Sequence, residues 1–124
     1  MKLKPERIFI RDQWTCFLCG LELRDGSLIP HHRANRGSGG FKAADKPSNV
    51  LSLCSFCNGI IESDAVQAAQ ARDWGVKVSK FDTGRTHEIP VFSRSDGWLL
   101  LDDSYGVSAT DSPNTPYNEN RPEA

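Results

Sequence analysis

Two identical cysteine spacings constrain this chain more than any other feature. Cys16 and Cys19 are separated by two residues, and so are Cys54 and Cys57. Each such pair can set two thiolates along one edge of a tetrahedron, and two pairs complete a closed four-sulfur zinc site of structural type. The alternatives are a redox dithiol, disfavoured by the lack of a βαβ pattern around either pair, and buried free cysteines, disfavoured by the matched spacing. A chain of 124 residues reads as one domain with a modest core, for which such a staple matters. The sequence holds no apolar run of membrane length and no secretory leader pattern. A reducing, cytoplasmic setting is therefore expected, where clustered cysteines hold metal rather than pair as disulfides.

The rest of the chain is organised around these pairs. Residues 5–13 read as a short helix opened by Pro5, and residues 14–20 as a zinc knuckle closed by Gly20. Asp25-Gly26 signals a turn, and residues 27–32 a strand that ends on His31-His32. A long loop over 33–48, rich in glycine and basic residues, leads to a second strand over 49–53. The alanine-rich stretch 58–74 predicts one helix stopped by Gly75, and 76–79 alternates as a strand. Residues 89–92 and 98–101 predict a hairpin around Ser95-Asp96-Gly97. The polar composition from 108 to 124 predicts a disordered tail, leaving one functional domain over 1–107.

The net charge of −1 hides an asymmetry. Residues 1–50 carry nine Lys and Arg against five Asp and Glu, a balance of +4, and the remainder carries −5. A basic half suits a polyanionic partner; unevenly distributed solvated charge is the plainer explanation. Arg33, Arg36, Lys42 and Lys46 in the long loop are candidate phosphate contacts, and Gly37, Gly39 and Gly40 would let backbone approach a nucleic acid closely.

Between the cysteine pairs stand His31-His32 and Asn49, and Asn58 follows the second pair directly. Glu62 lies one helical turn beyond Asn58. This constellation resembles the HNH nuclease motif in its HNN variant, over roughly residues 11–75, with the form braced by four cysteines as the best match. The resemblance implies an α+β fold: a small zinc-stabilised ββα-metal (His-Me finger) unit, followed here by C-terminal strands over 76–102 and the disordered tail. It further implies roles. His31 and Asn58 are ligands of a catalytic cation, Glu62 is a further ligand, His32 is the general base, and Asn49 orients that base by holding the loop. The structural ion would be Zn²⁺. The catalytic one would be Mg²⁺ or Mn²⁺, because the Asn58 amide offers an oxygen where imidazole is commoner.

A metal-dependent DNA endonuclease that nicks or breaks duplex DNA is thus expected. Similar phage proteins are linked to genome packaging, which implies a terminase as a further partner and the host cytoplasm as the setting. The competing expectation is a non-catalytic zinc-stabilised DNA-binding or protein-adaptor module. Residue by residue, the plain alternatives are strand-end histidines for His31 and His32, a helix cap for Asn58 and a solvated carboxylate for Glu62. Trp14, Trp74 and Trp98 read as core residues, and His87 as structural or exposed.

Overall fold

The computed structural model describes residues 3–35 and 42–113, without the side chains of 42 and 43. Helix α1 (Pro5–Arg11) starts on its proline and buries Ile8. The chain then reverses through Gln13 and Trp14, both left-handed with φ 58° and 56°, into the knuckle, where Gly20 takes φ 76°. Strands β1 (Leu28–His32) and β2 (Val50–Cys54) pair antiparallel, with His31 opposite Leu51 and His32 opposite Val50. The loop joining them contains 3-10 turns at Lys42–Asp45 and Pro47–Asn49. Every residue of β2 is buried, and the strand runs directly into helix α2 (Ser55–Ser63).

The single helix expected over 58–74 is corrected at both its start and its middle. It begins at Ser55, because the Cys54 sulfur accepts the Cys57 N–H at 3.3 Å and so caps the first turn. It breaks at Asp64, which is extended (φ −121°, ψ 119°). The Asp64 carboxylate accepts the N–H groups of Val66 and Gln67 and opens a second helix, α3 (Ala65–Asp73). The strand expected over 76–79 reduces to one parallel bridge between Ala34 and Val78. A 3-10 segment at Lys80–Glu88 follows, which the sequence did not suggest.

A second antiparallel sheet has the order β3 (Val91–Ser93), β4 (Gly97–Leu101), β5 (Val107–Ala109). The β3–β4 hairpin matches the expected one. Strand β5 corrects the expected start of the tail, since Ser108 and Ala109 pair with Leu100 and Leu99. The remainder of that expectation, residues 114–124, lies outside the described residues.

The knuckle joins the two sheets. The Phe17 N–H donates to the Ser52 carbonyl at 3.1 Å, and the Arg94 N–H donates to the Phe17 carbonyl at 3.0 Å. The Arg94 guanidinium adds a bond to the Leu18 carbonyl at 2.6 Å. One hydrophobic cluster therefore spans both sheets and the helices, from Cys16, Phe17 and Leu53 through Ile61 and Trp74 to Phe92, Trp98 and Leu101. The described residues thus form a small mixed α/β structure with two short antiparallel sheets. No helix among the described residues is long and apolar enough to cross a membrane.

Candidate active site

The cysteine pairs come together where the knuckle meets the start of α2. All four sulfurs lie within 4.8 Å of one another, and none is in a disulfide. Ligands at ~2.3 Å from a tetrahedral zinc stand about 3.8 Å apart, so the cluster fits such an ion with little adjustment. Burial, and then the neighbouring Cys16 sulfur, pushes the Cys57 thiol up; burial also raises Cys16. Thiolates packed this closely need a cation between them, and the four cysteines could hold a metal such as zinc.

A second donor set includes Asn58, the residue of α2 that directly follows Cys57. His31 is buried at the end of β1, and its Nε2 is 3.0 Å from the Val76 carbonyl oxygen. A carbonyl can only accept, so Nε2 carries the proton and Nδ1 keeps its lone pair. Nδ1 is 3.2 Å from Asn58 Oδ1. Burial holds the His31 pKa below its ordinary value; the Lys77 ammonium pushes the same way, while the Val76 carbonyl, the Asn58 amide and the Glu62 carboxylate oppose. The ring nitrogen and the amide oxygen thus lie close enough to serve one cation together. Two ligands at ~2.1 Å from one cation stand about 3.0–3.4 Å apart, so the separation would let both atoms reach a single ion. Asn58 lies inside α2, and the capping role weighed for it belongs to Cys54.

His32 faces the other side of β1, as strand alternation requires. Its Nε2 is 2.8 Å from Asp45 Oδ1, and about a fifth of its side chain is exposed. With the Nε2 proton donated to this carboxylate, Nδ1 is the basic nitrogen, and it has no hydrogen-bond partner among the described residues. Asn49 is buried and ties the loop together. Its Oδ1 accepts the Ala34 N–H at 2.8 Å, and its Nδ2 donates to the carbonyls of Ala34 and Ala44 at 3.1 and 2.8 Å. It thereby fixes the residues just after His32 and just before Asp45 relative to each other.

The candidate phosphate contacts fare differently. Arg33 is corrected: it is 1 % exposed and donates to the carbonyls of Gly75, Ser48, Thr86, Ile89 and Pro90. Burial lowers its pKa to about 9, which leaves it cationic at neutral pH. It is a cross-link between the loop and the C-terminal half, with its guanidinium taken up by these carbonyls. Lys46 stays half-buried and outside the pocket lined by His31. Arg36, the glycines Gly37, Gly39 and Gly40, and the Lys42 side chain lie outside the described residues.

The pocket around the histidines has a volume of about 320 Å³ and is lined by His31, His32, Asn58 and Glu62 together with Asn35 and Lys77. Glu62 Oε1 is 3.5 Å from Lys77 Nζ. Lys77 and Asp45 were missed in the sequence. Each reaches the site only through tertiary contact, and no local spacing marks either one. Comparison with protein-family models, curated proteins and solved structures returns no match for this chain.

Proposed function

We propose that this chain is a small endonuclease of the HNH type, in its HNN form, that hydrolyses DNA phosphodiester bonds with a divalent cation held by His31 and Asn58. The observation that carries this reading is the 3.2 Å approach of two lone-pair donors, His31 Nδ1 and Asn58 Oδ1, beside a second imidazole. The chain order also supports it: β1 carries both histidines, β2 returns antiparallel, and α2 carries Asn58, as a ββα-metal unit would have them. When bound, Mg²⁺ or Mn²⁺ would act as a Lewis acid toward the phosphate and the departing oxygen. His32 Nδ1 takes a proton from the attacking water, whose oxygen bonds to phosphorus as the P–O3′ bond breaks. The departing 3′ oxygen gains a proton from solvent, leaving a 3′-hydroxyl and a 5′-phosphate. Asp45 holds the His32 ring, and Asn49 holds the turn that carries Asp45.

One such site cuts one strand, so the primary product is a nick. The test is relaxation of supercoiled plasmid with Mg²⁺ or Mn²⁺. Wild type should nick, and His32→Ala should be slower by about 10²–10⁴. Absence of nicking by wild-type protein with either cation would defeat the reading. A second reading, a zinc-stabilised DNA-binding or adaptor module, draws support from Phe56 and Leu21. These are 74 % and 59 % exposed and adjoin Cys57 and Gly20. An adaptor would show no affinity for DNA even at low salt, and a protein partner such as a terminase would then be the one to seek.

A further inference from the structure

The pocket contains one lysine that the proposed chemistry has so far not used. Lys77 reaches it because the segment after α3 is tied to the end of β1. The Val78 N–H donates to the Arg33 carbonyl at 2.9 Å, His31 Nε2 donates to the Val76 carbonyl at 3.0 Å, and Arg33 Nε donates to the Gly75 carbonyl at 2.8 Å. Val76 is fully buried, and Lys77, in the bend that follows Gly75, lines the pocket. Its side chain is 28 % exposed, so the ammonium meets solvent at the mouth of the site while its stem is packed. Its ion-pair partner, Glu62, is 59 % exposed and stands one turn along α2 from Asn58.

We propose that Lys77 binds a non-bridging oxygen of the scissile phosphate, and that Glu62 holds the lysine in place until a divalent cation draws the carboxylate away. This rests on the nuclease reading. Phosphodiester hydrolysis adds negative charge to the phosphate oxygens as water attacks, and a cationic side chain beside them offsets it. Arg33 is engaged with carbonyls, so Lys77 is the cation that the described pocket lining offers for this purpose. The ion pair with Glu62 is long and half-solvated, a type that contributes little, so exchanging one partner is easy. A cation held by His31 and Asn58 would attract the Glu62 carboxylate and repel the Lys77 ammonium, which would free the lysine for the substrate.

The test measures plasmid nicking and Mn²⁺ affinity for wild type, Lys77→Ala, Lys77→Arg and Glu62→Gln, each checked for equal zinc content and circular dichroism. Lys77→Ala should nick about 10²-fold more slowly at saturating Mn²⁺. It should bind Mn²⁺ at least as tightly as wild type, and Lys77→Arg should recover most of the rate. Glu62→Gln should show the reverse pattern, weaker Mn²⁺ binding with a rate that returns as Mn²⁺ is raised. Equal rates for Lys77→Ala and wild type, or a Lys77→Ala defect that excess Mn²⁺ repairs, would overturn the role given to Lys77 and leave the nuclease intact. A wild-type protein that fails to nick would remove both.

Discussion

On the proposed reading, Asn58 sets which cation the His31 site prefers. An amide oxygen suits magnesium and manganese, whereas imidazole suits zinc, nickel and copper. Asn58→His should therefore tighten transition-metal binding and shift the preference of cleavage toward Ni²⁺ or Zn²⁺. Asn58→Ala should weaken metal binding yet retain some cleavage at high Mn²⁺. Titration of each variant with Mn²⁺ and Ni²⁺ checks both, and unchanged preference and affinity in the two variants would take Asn58 out of the metal site. The neighbouring misreading of Arg33 is instructive at the same scale. Side chains alternate along β1, so a buried His31 and an outward His32 put residue 33 back on the inner side. That signal was present in the sequence. It was overridden by residue type, since arginine beside a glycine-rich loop suggests phosphate.

The element that shapes the site most is the short connection after α3. Gly75 takes φ 78°, and a Cβ there would run into the Pro90 carbonyl oxygen. Its own carbonyl accepts Arg33 Nε, and the next two residues supply the Val76 carbonyl for His31 and the Lys77 ammonium. Gly75→Ala should cost roughly 2 kcal/mol or more, combining left-handed strain with the clash. It should also raise the Mn²⁺ Kd by loosening His31. Urea unfolding and metal titration measure the two effects, and a variant as stable as wild type would show that the connection can relax. Elements set by local chemistry were legible in advance. The knuckle, both strands of the first sheet and the β3–β4 hairpin follow from spacing, alternation and turn residues. The break at Asp64 was hidden because alanines favour helix on its C-terminal side, while the aspartate's value as a cap emerges only when the helix is already broken. Lys80–Glu88 was illegible for a different reason: it is held by tertiary bonds, including Thr86 to Arg33 and to Ser48.

Over the whole molecule, the proposed function divides the two donor sets between holding the fold and performing chemistry. The cysteine cluster sits where the knuckle, β2 and α2 meet, so its loss separates both sheets from their common support. Mild chelation should abolish cleavage while circular dichroism stays that of the folded protein, because thiolate-bound zinc is held much more tightly than an ion on one imidazole and an amide. Cys54→Ser should instead unfold the domain. One metal per chain at the His31 set, with all four thiols freely reactive in the native state, would contradict this division. On the proposed reading, the charge of the molecule sets how it would meet DNA. Of the +4 carried by residues 1–50, Arg11 is neutralised by Asp12 at 2.7 Å, and the Arg33 charge is buried without a carboxylate partner. The basic face is therefore smaller than the sequence count implies, and few phosphates can be neutralised at once. DNA binding should be weak and sequence-tolerant, with a log–log salt slope of magnitude about 1–3. Lys77→Ala should reduce that slope by roughly 1, since a phosphate contact is lost. Fluorescence anisotropy of a labelled duplex across a salt series checks this. A slope well above this range, or tight binding to one short sequence, would show that cations beyond Lys77 and the exposed basic residues of the N-terminal half contact the duplex.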